Sequence, residues 1–236
     1  MTTSRRALIV RGGWPGHHPV ETTELFIPFL ETHGHTVRVE ESTEVYADAD
    51  AMSDVDLIVQ SVSMGEISDS ALQGLREAVS SGAGLAGWHG GIVGSFGDRT
   101  GYLQLVGGVF VEHPAKPNGE RRGDGTDSFL THTIDITELG RDHPITRGID
   151  GFELTTEQYW VLHDDLSDVL ATTTHPSRPD QPWRRPITSP AVWTREWGAG
   201  RVFVATPGHD PAVLRDPNVR TVVERGLLWA SRPEPR

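Results

Sequence analysis

Residues 84–91 read Gly-Leu-Ala-Gly-Trp-His-Gly-Gly, a short apolar run that stops at a histidine crowded by glycines. Where a buried strand turns sharply into a helix, the corner residue is held in a strained conformation. Its neighbours must then be small enough for the backbones to pass. Gly87-x-His89-x-Gly91 has the spacing of such an elbow, with an imidazole where a nucleophile usually sits. A side chain at a strained corner lowers stability, so His89 is read as the centre of a functional site rather than as a ring bonding a nearby carbonyl. Gly82, Gly84 and Gly87 also spell the dinucleotide fingerprint G-x-G-x-x-G. That motif must follow a strand and open a helix; here it follows a helical pattern and enters a strand, so a nucleotide is not expected.

The chain before the elbow alternates regularly. Residues 7–10 form a continuous apolar run, as in a strand covered on both faces, and empty into a turn-rich loop carrying His17 and His18. The spacing of Leu25, Phe26, Phe29 and Leu30 predicts a helix over 20–32. Strands are expected over 36–39 and 56–60. A helix over 68–81 follows, capped by Ser68, with Leu72, Leu75 and Val79 facing inward. This order implies an α/β fold with a doubly wound, mostly parallel sheet, whose ligands bind beyond the carboxyl ends of the strands. The His17/His18 loop and His89 both lie at such ends, so topology alone places them on one rim.

The rest is less regular. A short helix over 102–106, strands over 129–136 and 169–172, a proline-rich loop over 176–190 and a glycine-turned hairpin over 191–205 are expected. A closing helix spans 219–230, and 232–236 are expected to fray. No linker or repeat divides the 236 residues, which are read as a single domain over 1–236 with an ordered core of about 6–231.

Composition removes several functions. Cysteine is absent, which excludes thiolate nucleophiles, disulfides and cysteine metal sites. A net charge of −12 argues against nucleic acid and anionic membrane as partners. Lys116 is the only lysine, so Schiff-base chemistry would have to use it. No apolar run approaches membrane length and the first residues lack a signal-peptide core, so a cytoplasmic protein is expected. Serine hydrolysis finds no frame, because Gly94-Ser95-Phe96 is not G-x-S-x-G.

The chemistry therefore falls on imidazoles and one carboxylate. His209 follows an apolar strand, again at a carboxyl end. His17 is preferred to His18 because it lies nearer the glycine bend. Glu157 is embedded in Thr-Thr-Glu-Gln-Tyr-Trp, where a buried carboxylate can orient an imidazole or act as a base. His113 follows an apolar run. Trp88, Tyr159 and Trp160 offer faces for a sugar, although core packing explains each equally well. His143 reads as a turn residue; His33, His35, His132 and His175 read as exposed; His163 is open. No metal motif appears, yet several histidines and one glutamate on a rim can hold zinc.

Motifs in fixed order carry a family resemblance. Residues 13–19 (Gly-Trp-x-Gly-His-x-Pro), 87–91 (Gly-Trp-His-Gly-Gly), 107–114 (Gly-Gly-x-Phe-x-x-His-Pro), 142–148 (Asp-His-Pro-Ile-Thr-x-Gly) and 156–159 (Thr-Glu-Gln-Tyr) come first. Residues 190–203 (Pro-x-x-Trp-Thr-Arg-x-Trp-Gly-x-Gly-Arg-Val-Phe) and Gly208-His209 complete the series. Over nearly its whole length the chain resembles the ThuA-like, trehalose-utilisation family. That resemblance implies a three-layer, flavodoxin-like fold of the class I glutamine amidotransferase type. Amidotransferases carry a cysteine at the elbow and take its base from a His-Pro-Glu segment. Here those positions hold His89 and His209-Asp210-Pro211, so thiol-dependent glutamine hydrolysis is chemically impossible. The chain departs from the family at His18, where an acid is expected.

The resemblance further implies carbohydrate metabolism, with a sugar or 3-keto-glycoside as substrate. A keto-sugar has an acidic α-proton that a neutral imidazole can take, while an imidazolium or metal stabilises the enediolate. The expected roles are catalytic for His89, His209 and Glu157, and substrate-binding for His17, His113, Trp88, Tyr159 and His163. His17 and His113 are also the candidates for a zinc ligand. The alternatives are a zinc-dependent hydrolase at the same histidines, or a catalytically silent sugar-binding or assembly module. A homo-oligomer is compatible with either.

Overall fold

The computed structural model describes residues 4–232. β1 (Arg5–Gly13) leads into α1 (Pro19–Glu24), α2 (Ile27–Thr32) and β2 (His35–Glu40). α3 (Ala49–Ser53), β3 (Leu57–Ser63), α4 (Asp69–Ser80), β4 (Gly84–Trp88) and α5 (Gly90–Val93) complete the regular part. α6 (Thr100–Val106), β5 (Gly108–Glu112), β6 (Phe129–Ile136), α7 (Glu138–Asp142), β7 (Phe152–Glu157) and β8 (Trp160–His163) follow. β9 (Asp168–His175), β10 (Ile187–Trp197), β11 (Gly200–Ala205), α8 (Pro211–Leu214) and α9 (Pro217–Ala230) close the chain.

The main sheet has nine strands in the order β2-β1-β3-β4-β11-β10-β9-β6-β7. β2, β1, β3, β4 and β11 pair in parallel. From β11 outward every pairing is antiparallel. The parallel arrangement expected from the first ninety residues therefore describes one half of a mixed sheet. β5 and β8 form a separate antiparallel pair.

Alternation along β1 separates two cores. Leu8 and Val10 pack with Leu75, Val79, Tyr102 and Trp193, while Ala7 and Ile9 pack with Phe26, Leu30, Trp88 and Leu227. α4 behaves as its sequence dictates: the Ser68 hydroxyl caps Ala71 N–H at 3.2 Å, and Leu72, Leu75 and Val79 are buried. Such a cap contributes about 1 kcal/mol. α9 buries Val222, Val223 and Leu227, as its apolar spacing predicts, together with Val219, while Leu228, expected in the same stripe, is only partly buried.

One helix differs from expectation. The segment 20–32 is not continuous: α1 ends at Glu24 and α2 starts at Ile27. Pro28 has no N–H to return to the Glu24 carbonyl, and its ring crowds the preceding turn, so the helix breaks there. α3 is a short element without a sequence signal beyond its cap, Asp48, whose carboxylate accepts from Asp50 and Ala51 N–H groups. Residues 233–236, where fraying is expected, lie outside the described residues. Among the described residues no helix is long and apolar enough to cross a membrane.

Candidate active site

Four loops at the carboxyl ends of parallel strands meet on one rim. The loop after β1 runs through a single 3-10 turn, Pro15–His17, and is tied to the end of β3 by Trp14 N–H donating to Ser63 O at 3.0 Å. β4 ends at the elbow, where His89 has φ 51° and ψ −147°. That region is nearly reserved for glycine and costs a side-chain-bearing residue of order 1–3 kcal/mol. The corner is enforced from both sides: His89 N–H donates to Ala205 O at 2.7 Å, and a Cβ on Gly87 would stand 2.6 Å from Gln60 O. A Cβ on Gly90 would collide with the His17 ring, so that glycine is what lets the two loops touch. β11 delivers Thr206 and His209.

The carboxylate arrives from the other half of the sheet. β7 pairs with β6 so that Phe129 faces Glu157, which sets Ser128 beside the carboxylate. Only Gln158 and Tyr159 separate β7 from β8, which belongs to the smaller sheet, so the chain must cross between sheets at this point. Gln158 is buried and anchors the crossing by donating to Thr173 Oγ1 at 2.6 Å and Thr174 O at 3.1 Å.

Glu157 then sits among imidazoles. Its Oε2 is 3.1 Å from His89 Nε2 and 3.2 Å from His209 Nδ1, and its Oε1 accepts from Ser128 Oγ at 3.1 Å. His113 Nε2 is 3.7 Å from Oε1. His89 donates from Nδ1 to Thr206 O at 2.8 Å, so the neutral ring carries a lone pair at Nε2, toward which the Tyr159 hydroxyl donates at 2.8 Å. His17 Nδ1 is bonded to Ser63 Oγ at 2.7 Å. The rings of His17 and His89 have centroids 4.6 Å apart, and that of His209 is 5.3 Å from each. His209 Nδ1 is buried and, although close to Glu157, too far out of line for a hydrogen bond.

Protonation follows from this packing. Burial penalises a charged His17, and the neighbouring His89 and His209 add to it, so its pKa falls to about 3. Burial likewise lowers His89, against the pull of Glu157. Burial also works against the Glu157 charge, but the contacts from His209 and His89 outweigh it and hold the carboxyl well below its usual range. Burial raises the Tyr159 phenol, and the Glu157 charge adds to the rise. Near neutral pH Glu157 is thus a carboxylate facing neutral His17 and His89, with Tyr159 as a proton donor.

Of the residues singled out in the sequence, His17, His89, His209, Glu157 and Tyr159 converge, with His113 at the edge. His17 and not His18 faces inward; His18 is exposed, with φ 47°. Trp88 is 2 % exposed and packs on Phe26 with ring centroids 5.0 Å apart, so it is core and not a sugar platform. His163 is exposed on β8, its Nδ1 on Asp164 O, and does not join the cluster. His35 and His175 are buried rather than exposed, and His132 is half-buried. His35 Nε2 meets Ser231 Oγ, a partner 196 residues away that local reading cannot supply. Sequence reasoning missed Ser63, Ser128 and Thr206. Ser63 and Thr206 were findable as polar residues closing apolar strands on the same rim; Ser128 depends on β6–β7 register and had no local signal.

Comparison with known proteins agrees with this arrangement of elements. The ThuA family, described as trehalose utilisation, matches residues 6–230. A ThuA-like protein of Bacteroides uniformis superposes with a TM-score of 0.71 at 14 % identity, over 96 % of this chain and 91 % of its own. One of Parabacteroides merdae gives 0.70 at 16 %, over 99 % and 93 %. A cytoplasmic protein of Salmonella typhimurium gives 0.65 at 15 %, over 96 % and 100 %. At such identities the likeness is one of fold. No curated protein matches the sequence.

Proposed function

The chain belongs to the ThuA family of trehalose utilisation, and on that premise we propose that it is a cytoplasmic enzyme of carbohydrate metabolism. Its substrate is a sugar or keto-glycoside, isomerised or cleaved by proton transfer between the substrate and the Glu157 cluster. The observation that carries this reading is the contact of one buried carboxylate oxygen with two imidazoles from different strands, 3.1 Å and 3.2 Å away. A carboxylate held so far toward its charged form is itself a weak base. It stabilises an imidazolium, in the manner of an orienting acid behind a catalytic histidine.

His209 is the natural acceptor of the substrate proton. Its side chain is 13 % exposed against 2 % for His89, so its ring is the one a substrate can reach. His89 acts from behind, through the hydroxyl of Tyr159, which can return a proton to an enediolate oxygen. The substrate reaches these groups through a cavity of about 730 Å³ lined by His113, Ser128, Arg121, Asp127 and Asp180. His113 and Ser128 both contact Glu157, so the cavity abuts the cluster. That volume suits a disaccharide-sized ligand.

The architecture is consistent with the same reading. The parallel order β2-β1-β3-β4-β11 is the flavodoxin-like order, with helices over both faces and the cluster beyond the carboxyl ends. We assign it to the three-layer, class I glutamine amidotransferase-like group as a single domain over 1–236. The absence of cysteine removes the glutaminase reaction. The test is exchange in deuterated water: 3-keto-trehalose and other keto-glycosides should take up deuterium beside the carbonyl, and His209→Ala should stop it. If no keto-glycoside exchanges or turns over, the reading fails and a silent sugar-binding module replaces it.

A further inference from the structure

The arrangement around Glu157 has a feature that proton transfer alone does not explain. With Nδ1 committed to the Thr206 carbonyl, neutral His89 aims a lone pair at the region that Glu157 Oε2 also faces, 3.1 Å away. His209 Nδ1 borders the same oxygen at 3.2 Å, buried and unbonded. His17 is held at Nδ1 by Ser63, which leaves Nε2 free. Lone pairs brought together in a buried place repel unless a positive charge stands between them.

We infer that His17, His89, His209 and Glu157 form the seat of a divalent transition-metal ion, three imidazoles and one carboxylate. This rests on the reading of the cluster as the reaction centre and deepens it. One potential ligand atom from each residue lies within 4.8 Å of every other. In a tetrahedral zinc site, bonds of about 2.0–2.2 Å put neighbouring ligands roughly 3.4 Å apart. The Glu157 distances to His89 and His209 already come close to that edge, and the widest pair of ligand atoms needs to close by up to about 1.4 Å.

The outer shell is also that of a metal site. Ligating histidines nearly always have the other ring nitrogen fixed by a carbonyl, carboxylate or hydroxyl, which sets tautomer and direction. Here Thr206 O fixes His89, Ser63 Oγ fixes His17, and Ser128 Oγ holds the second oxygen of Glu157. The donor set, imidazole nitrogen with one carboxylate and no thiolate, suits zinc, cobalt, nickel, iron or manganese rather than calcium or magnesium. Tyr159, whose hydroxyl donates to His89 Nε2 at 2.8 Å, would yield that bond to the ion, and both it and His113 then border the seat without joining it. An ion held there would polarise a substrate carbonyl, leaving His113 at the edge of the seat to take the substrate proton and the Tyr159 hydroxyl to donate one to the enediolate oxygen. The reaction class is unchanged; the positive charge opposite the enediolate is supplied by the ion instead of by His209.

The experiment is calorimetric titration of zinc chloride, and separately cobalt chloride, into the tag-free full chain after treatment with a chelator. Expected are one equivalent per chain, a raised melting temperature, and cobalt absorption bands of a low-symmetry nitrogen-oxygen site. His209→Ala and Glu157→Gln should each remove the site while the other exposed histidines stay. Ser63→Ala, which leaves all four ligands, should weaken binding about 10- to 100-fold. Absence of stoichiometric binding, or binding that is the same in His209→Ala, overturns the inference. Keto-glycoside exchange, measured in both the chelated and the zinc-loaded chain, tells the two failures apart. Exchange without metal binding leaves the proposed function and removes the ion; tight binding without any exchange does the reverse.

Discussion

The two halves of the main sheet do different work. The parallel half, β2 to β11, has the buried strands β1, β3, β4 and β11 inside a partly exposed edge strand β2, and it supplies His17, Ser63, His89, Thr206 and His209. These come from loops at the carboxyl ends and are fixed by backbone contacts between neighbouring strands. In the antiparallel half β6 exposes alternate residues (Thr131, Thr133 and Asp135), and this half contributes Glu157, Tyr159 and Ser128 through strand register and one buried anchor, Gln158. The parallel half thus sets where the imidazoles stand, and the antiparallel half sets what charge they face. A cluster at the seam of two such units is sensitive to both.

The sharpest way to break the comparison is to remove the charge without moving the rings. Glu157→Gln keeps the shape and should reduce deuterium exchange into keto-glycosides by roughly 10²- to 10⁴-fold. An exchange rate within a few-fold of wild type would mean that the antiparallel half adds nothing to the chemistry.

The next effect is on stability. Gly87→Ala puts a Cβ against Gln60 O and the Ile92 side chain and should cost about 1–3 kcal/mol in chemical denaturation. Gly119→Ala, in the surface loop before β6, meets nothing within 4 Å and should stay within about 0.5 kcal/mol. Equal costs at the two positions would deny that close packing of the parallel half makes the elbow.

A smaller difference isolates strain. His89→Gly and His89→Ala lose the same ring contacts, yet glycine tolerates φ 51°. The glycine variant should be more stable by about 1 kcal/mol, although neither should turn over substrate. An alanine variant as stable as the glycine variant would show an unstrained corner.

The smallest effect is a pH trend from histidines outside the cluster. Burial lowers the pKa of His35 and His175 below the ordinary imidazole value of 6.5, so the unfolded chain binds these protons first. Their contribution is present above about pH 6.5 and is lost as pH falls through the lower folded values. Denaturation midpoints should decline from pH 7 to pH 5.5, and His35→Gln should shallow the slope. A midpoint that rises on acidification would reverse the assignment.

Much of the parallel half was legible in sequence because its signals are local. The Ser68 cap, the apolar run into Trp88-His89 and the glycines around it each occupy fewer than a dozen residues, and topology then puts the His17 and His89 loops on one rim. His17 could be preferred to His18 from its place by the bend. The break at Pro28 was readable in principle but lay beneath a strong apolar periodicity. The burial of His35 and His175 was not readable, because Ser231 and the Tyr159 carbonyl, which bond the Nε2 of the two rings, are brought to them only by folding.

By itself the sequence determined the elbow, the four strands and the capped helix α4 of the first ninety residues and the exclusion of thiol chemistry. Each follows from spacing or residue type. The tertiary structure alone decided that Glu157 touches His89 and His209, that Trp88 is core and that Ser63, Ser128 and Thr206 orient the site. These depend on the pairing of β6 with β7 and on the crossing from β7 to β8. Contacts across 68 residues of chain, as between His89 and Glu157, are set by register and packing, and neither leaves a periodic mark in the residues themselves.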